Sequence, residues 1–91
     1  MRFDTLPGGD LIEAGLRDIE KRVETDAALL VSIGEPRLRR LGVVIAVPFS
    51  DPEHRLYARL AAEDRQSAHS RYNALIRRLV SFERAAECVG L

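Results

Sequence analysis

The sequence contains no tryptophan, one cysteine, three phenylalanines and two tyrosines among 91 residues. Leu, Ile, Val and Ala must therefore form most of the core, which suits a helical fold. The single Cys88 cannot form an internal disulfide, as is typical of proteins in a reducing compartment. Residues 1–10 lack the apolar core of a signal peptide, and no apolar run, residues 43–47 included, approaches the roughly 20 residues of a membrane span. We therefore expect a cytoplasmic protein that does not bind a membrane.

An excess of charge is also lacking, because 14 basic residues balance 14 acidic ones. The acids are concentrated early in the chain: residues 1–35 hold four basic and eight acidic residues, so 4 minus 8 gives −4, and the remainder carries +4. This asymmetry could orient two parts of the fold, or two copies, against each other, and it could steer an anion to the later part. It could equally be ordinary solvated charge.

The remaining composition is that of a folded protein, with 46 % hydrophobic and 31 % charged residues, and the length fits one domain over residues 1–91. The strongest pattern is a stripe of seven apolar residues spaced alternately by four and three, which predicts a long helix over residues 67–88. Ile76 and Val80 widen its apolar face, so we expect this helix to contact several neighbours. The stripe consists of Ala68, Tyr72, Leu75, Leu79, Phe82, Ala86 and Val89.

An earlier helix is predicted after the Pro-Gly-Gly turn at residues 7–9, with Asp10 as its N-cap and Val23 at the end of its apolar stripe. Gly15 interrupts this helix, and we interpret it as the mark of a close crossing with another helix. The predicted fold is therefore all-α: a small orthogonal or bundle-like domain of four to five helices, with a long C-terminal helix at its centre.

Three further helices are predicted between these two. One starts at Thr25 or Asp26 and stops at Gly34, a short one follows from Pro36 to residue 41, and another starts at Pro52. The strand-like residues 43–47 lie between the last two. In a monomer we expect them to form an extended connector packed across helices, and in a dimer they could pair with their symmetry mate.

Arginines dominate the basic residues and suggest a phosphate-binding patch. If the predicted short third helix lies near the long helix, their arginines could form one surface, and guanidinium groups bind phosphate well. This pattern supports a nucleic-acid-associated regulator, although binders that ignore sequence are usually strongly basic and this chain is neutral. The arginines concerned are Arg37, Arg39, Arg40, Arg71, Arg77, Arg78 and Arg84.

A polar cluster opens the long helix and is the part of the sequence most suited to catalysis. His69 and Asn73 are four residues apart and share a helix face, with Arg65 one turn earlier. A histidine there could act as a general acid or base beside a guanidinium that holds a phosphate. The simpler interpretation is that Ser67 caps the helix while His69 and Asn73 are solvated or bonded to the preceding loop.

The pair formed by Arg65 and His69 resembles the Arg-and-His motif of HEPN ribonuclease domains, which are small helical proteins. The resemblance implies a ribonuclease-like enzyme that uses His69. It covers only this stretch, and the three residues between Arg65 and His69 are fewer than the spacing of that family.

Metal and nucleotide sites have little support in the sequence. His54, His69 and Cys88 are too far apart in the chain to form a ligand pair, and we expect Cys88 to be a small buried hydrophobic residue. The Gly8-Gly9 pair does not follow a strand of a βαβ unit, so it does not indicate a phosphate loop. We expect no metal and no cofactor.

The function that the sequence favours is protein interaction. Arg71 and Arg78 flank the stripe of the long helix, where acids of the first helix such as Glu13 or Glu20 could face them within the chain or across a dimer. A small core gains most from added buried surface, so we expect a protein partner or a homodimer and no catalysis. The alternatives are the nucleic-acid-associated regulator and the ribonuclease-like enzyme.

Overall fold

The structure, a computed structural model, describes residues 3–90, which form four α-helices and no strand. Residues 1, 2 and 91 of the predicted domain lie outside the described residues. The prediction of an all-α fold with a long C-terminal helix is confirmed. The helices are α1 (Gly9–Glu20), α2 (Asp26–Arg40), α3 (Pro52–Glu63) and α4 (Ala68–Val89).

Helix α1 begins at a turn made by two glycines. Gly8 has a φ of +72°, and a Cβ on Gly9 would lie 1.5 Å from the carbonyl oxygen of Phe3. The helix therefore starts at Gly9, and Asp10 lies in its first turn instead of at the predicted N-cap. The helix also ends before Val23, which is exposed instead of lying on its apolar face.

Helices α1 and α2 cross at Gly15, as its place inside the first helix predicted. A Cβ on Gly15 would lie 2.3 Å from the carbonyl oxygen of Ala27 and 2.5 Å from Cγ2 of Val31. The two backbones approach this closely only because residue 15 has no side chain.

Thr25, one of the two residues predicted to cap α2, fixes the start of this helix. Its hydroxyl oxygen accepts a hydrogen bond from the N–H of Ala28 at 3.1 Å and donates one to Asp18 Oδ2 at 2.7 Å. One side chain therefore caps α2 and joins it to α1.

Helix α2 continues to Arg40, so the prediction of two helices separated at Gly34 is wrong. Pro36 lies inside the helix instead of starting a new one. Gly34 is buried against the side chain of Leu79, and Leu38 is fully buried as well. Packing at these two positions keeps the helix continuous even though Pro36 cannot donate a backbone hydrogen bond.

The core is organised around α2, which contacts the other three helices. The apolar stripe suggested this central position for the long helix, α4. Helix α4 packs mainly against α2 and α3, so α2 is the helix at the centre. The stripe on α4 nevertheless faces the core, with Ala68, Leu79, Phe82 and Ala86 buried. From α2, the fully buried apolar residues are Ala28, Leu29, Leu30, Val31 and Leu38.

Residues 41–51 join α2 to α3. Val43 and Ile45 belong to the core, which agrees with the interpretation of residues 43–47 as a connector packed across helices. Asp51 has a φ of +50°, and α3 follows it with Pro52 in its first turn.

Candidate interaction surface

The two most exposed large apolar side chains of the described residues lie on residues 43–47, which we call the extended segment. Val43 and Ile45 are buried, whereas Val44 is 90 % exposed and Val47 is 72 % exposed. Burial alternates over residues 43–46, as is typical of an extended chain with one face on the protein and the other in solvent, and the chain then bends at Val47. The segment therefore presents apolar surface that the rest of residues 3–90 leaves uncovered.

The main chain of the extended segment is largely unpaired. Within the described chain, the N–H groups of residues 44–47 donate no hydrogen bond. The carbonyl oxygen of Ala46 accepts a hydrogen bond from Arg39 at 3.3 Å, and that of Val47 accepts one from the Arg22 guanidinium. An exposed edge with free N–H groups is a template for pairing with another chain.

Both ends of the extended segment are fixed to α2. At its start, Gly42 has a φ of +98°, and the N–H of Val43 donates to the carbonyl oxygen of Leu38 at 3.0 Å. Just after its end, the N–H of Phe49 donates to Ser32 Oγ at 3.0 Å. These contacts hold the edge in place before a partner arrives, which lowers the entropy that binding costs.

The arginines predicted at positions 37, 39 and 40 lie on the last turns of α2. Arg37 Nη2 lies 2.9 Å from Glu87 Oε2 on α4, and Arg39 is paired with Glu35 one turn earlier. Arg40 is exposed. Two of the three charges are therefore already balanced by carboxylates.

Arg78 on α4 forms the contact with α1 that the charge pattern predicted, but with a different acid. Its Nη2 lies 3.1 Å from Asp10 Oδ1, so the acid of α1 that meets Arg78 within the chain is Asp10 and not one of the two examples, Glu13 and Glu20. The Glu13 side chain turns to the start of the chain instead, where it accepts a hydrogen bond from the N–H of Phe3 at 3.2 Å.

Arg71 lies two turns before Arg78 and pairs with Glu63 of α3, with 3.2 Å between Nη2 and Oε1. Arg71 and Arg78 therefore point toward α3 and α1, whereas Arg37 reaches the last turn of α4. Arg71 and Arg78 line one groove together, and Arg37 pairs with Glu87 near the C-terminal end of α4. An open groove of about 270 Å³ is lined by Asp26, Arg71, Ala74, Leu75 and Arg78.

The polar cluster at the start of α4 is only partly assembled. Asn73 Nδ2 and His69 Nε2 lie 3.2 Å apart, and both side chains are accessible to solvent. Arg65 is exposed and, among the described residues, makes no hydrogen bond or ion pair with either of them. Ser67 occupies the N-cap position of α4, although its side chain makes no capping hydrogen bond. The structure therefore pairs His69 with Asn73 without bringing the guanidinium to them.

Glu83 is a buried acid that the sequence interpretation missed. It is only 5 % exposed, and burial raises the pKa of its carboxyl group while the nearby charges of Arg37 and Arg40 act to lower it. The spacing along the helix indicates that Glu83 faces the core, because it follows Val80 by three residues and Ile76 by seven on the same helix face.

Cys88 is exposed on the last turn of α4, so the expectation of a buried cysteine is wrong. Val89 beside it is exposed as well, although it continues the predicted apolar stripe. Within residues 3–90, no three His, Cys, Asp or Glu side chains converge to form a metal site.

Comparisons of the chain with protein-family models, with curated proteins and with solved structures find no match. None of the helices over residues 3–90 is long and apolar enough to cross a membrane.

Proposed function

We propose that this chain is an intracellular protein-interaction module that binds through its extended segment. The observation that supports this most directly is the combination of Val44 at 90 % exposure with free N–H groups along residues 44–47. An exposed apolar side chain alone is common on protein surfaces. An anchored segment whose exposed valine has no apolar cover and whose N–H groups have no partner among the described residues is the feature that a bound chain would complete.

A role in nucleic-acid binding has less support from the geometry. Four of the predicted arginines, Arg37, Arg39, Arg71 and Arg78, already lie within ion-pair distance of a carboxylate. A phosphate would have to displace those carboxylates, which offsets part of its binding energy.

The ribonuclease-like alternative rests on His69 alone. The imidazole lies within hydrogen-bond distance of the amide of Asn73, and no titratable side chain of the described residues makes a hydrogen bond or ion pair with either group. A general acid or base needs a second group that positions or stabilises the substrate, and the geometry offers His69 no such neighbour.

A photoreactive amino acid at position 44 would test the interaction function in cells that express the chain. We expect a discrete covalent adduct from position 44 and none from position 62, where Ala62 is exposed on α3 and serves as the control site. An excess of the unmodified chain should suppress the adduct. Equal adducts at both positions, or none at position 44, would contradict the proposal.

Titration with duplex DNA and with RNA at two salt concentrations would test the alternative of nucleic-acid binding. We expect neither duplex DNA nor RNA to bind with an affinity that falls as the salt concentration rises. A clear salt-dependent affinity would favour the regulator instead, because phosphate contacts release counterions.

A further inference from the structure

We infer that Arg22 is a latch for the extended segment: its side chain holds residues 46–49 against the protein, and these residues detach as a unit when the side chain lets go. The latch is a property of the fold. Its use, which is to keep the second half of the extended segment in position for a partner, rests on the proposed interaction function.

Arg22 occupies a backbone position that favours glycine. Its N–H donates to the carbonyl oxygen of Ile19 at 3.1 Å, and the N–H of Val23 donates to that of Asp18 at 2.9 Å. These two bonds form the Schellman motif that ends many helices, in which the residue after the C-cap is left-handed and is usually glycine. Arg22 has a φ of +56° there, which is costly for a residue with a Cβ. The chain therefore keeps a long side chain where the backbone alone favours none.

The Arg22 side chain makes two contacts that account for this choice. Its guanidinium group donates a hydrogen bond to the carbonyl oxygen of Val47 and lies 4.4 Å from the centre of the Phe49 ring. A guanidinium over an aromatic face is attracted to it, and a charged donor makes a stronger hydrogen bond than a neutral one. Arg22 therefore joins the turn after α1 to the end of the extended segment, 25 residues further along the chain.

The other contacts at this end are weak. The carbonyl oxygen of Ala46 accepts a hydrogen bond from Arg39 at 3.3 Å, a long distance for such a bond, and Phe49 is only partly buried. The N–H of Phe49 donates to Ser32 Oγ, but the Ser32 hydroxyl group also donates to the carbonyl oxygen of Ala28 at 2.8 Å. Detachment of Phe49 therefore leaves no buried donor of Ser32 without a partner, which keeps its cost low.

The start of the extended segment is held independently of Arg22. The N–H of Val43 donates to the carbonyl oxygen of Leu38 at 3.0 Å, and Val43 and Ile45 are only 4 % and 5 % exposed. Both side chains belong to the core, so moving them would bring apolar surface into water. Release of Arg22 therefore frees residues 46–49 and leaves residues 43–45 in place.

Amide hydrogen exchange of Phe49 tests the latch, because its N–H is bonded to Ser32 only while the end of the segment is attached. We expect Arg22→Gly to speed this exchange about tenfold, the combined size of a cation–π contact and a hydrogen bond from a charged donor at a partly exposed site. The Val43 amide should keep its rate. The amide of the fully buried Phe82 in α4 reports global unfolding and serves as the reference.

Two results would contradict this assignment. If Phe49 exchanges at the same rate in Arg22→Gly as in the parent, relative to Phe82, Arg22 is not a latch. If Val43 and Phe49 speed up equally, the detaching unit is not residues 46–49.

Arg22→Leu separates the role of the side chain from that of the backbone. It keeps a Cβ at the left-handed position but lacks the guanidinium group, so Phe49 should exchange as fast as in Arg22→Gly. The two variants should differ in global stability: the midpoint of urea unfolding, followed by circular dichroism, should be higher for Arg22→Gly because glycine removes the cost of the left-handed backbone. Parental exchange of Phe49 in Arg22→Leu would show that the guanidinium group holds nothing and would overturn the inference.

The exchange experiment needs no partner, so the latch and the proposed function can fail separately. If the parent gives no adduct from position 44 but Arg22→Gly still speeds the exchange of Phe49, the interaction function is wrong and the latch stands. If the parent gives the adduct and the exchange of Phe49 is unchanged in Arg22→Gly, the interaction function stands and the latch is wrong.

Discussion

Two glycines lie inside helices but have different surroundings. Gly15 faces the backbone of Ala27, whereas Gly34 faces the flexible side chain of Leu79. Gly15→Ala would place a Cβ 2.3 Å from a carbonyl oxygen, so we expect it to lower the free energy of unfolding by at least about 2 kcal/mol. Urea denaturation followed by circular dichroism measures this loss.

Gly34→Ala is the matched comparison. Its Cβ would lie 2.8 Å from Leu79 Cδ1, an atom that can move, and Ala favours a helix over Gly by about 1 kcal/mol. We therefore expect a change within about 1 kcal/mol of zero. An equal loss for both variants would show that the α1–α2 crossing is not the tighter contact.

Glu83 should make stability depend on pH. Burial raises the pKa of its carboxyl group above the usual 4.5, so the folded state binds this proton more tightly than the unfolded state. The associated stabilisation is complete below the unfolded pKa and is lost as pH rises from about 4.5 through the folded pKa. Glu83→Gln should remove this loss. Urea denaturation at a series of pH values should show a smaller decline for the variant, and an unchanged decline would assign it to other groups.

At the scale of elements, Thr25 joins two helices through one hydroxyl group. Thr25→Val keeps the shape of the side chain but removes both the N-cap of α2 and the bond to Asp18, and it should cost about 1–2 kcal/mol of stability. Thr25→Ser retains the hydroxyl and should cost less than half as much. Thermal unfolding of the two variants side by side gives the comparison. Similar losses of stability would mean that the methyl group of Thr25 contributes as much as its hydroxyl group.

The helices that the sequence located best were those with local signals. Thr25 and Pro52 marked helix starts, and the alternating spacing along α4 located its buried face. The continuity of α2 could not be predicted, because Gly34 and Pro36 are strong local breakers. Their effect is outweighed by Leu79, which lies 45 residues further along the chain.

The sequence showed that residues 43–47 form an apolar segment, but it did not show which of their side chains are exposed. Residues 43–47 are all apolar, so the sequence gives no alternation from which to tell the buried Val43 and Ile45 from the exposed Val44. That distinction depends on the Gly42 turn and on the bond between Phe49 and Ser32, which set how the segment lies on α2. The arginine patch was predicted from charge alone. The sequence did not show that Arg39 pairs with an acid of its own helix and that Arg37, Arg71 and Arg78 pair with acids of other helices.

At the scale of the whole molecule, the early excess of acids matches the later excess of arginines. Three ion pairs join acids of residues 1–35 to arginines of α3 and α4, and all of them are partly exposed. Such pairs contribute about 0–1 kcal/mol each, so they orient the helices more than they stabilise them. The pairs are Asp10 with Arg78, Glu24 with Arg55, and Asp26 with Arg59.

The crossing at Gly15 also has a consequence for how the chain folds. Helices α1 and α2 are joined by only five residues, 21–25, and form the most extensive helix pairing in the fold, so bringing them together costs little loop entropy. We expect this hairpin to form in the folding transition state, with α3 and α4 added later. In stopped-flow experiments Gly15→Ala should then slow refolding, whereas a truncation such as Leu60→Ala in α3 should mainly speed unfolding.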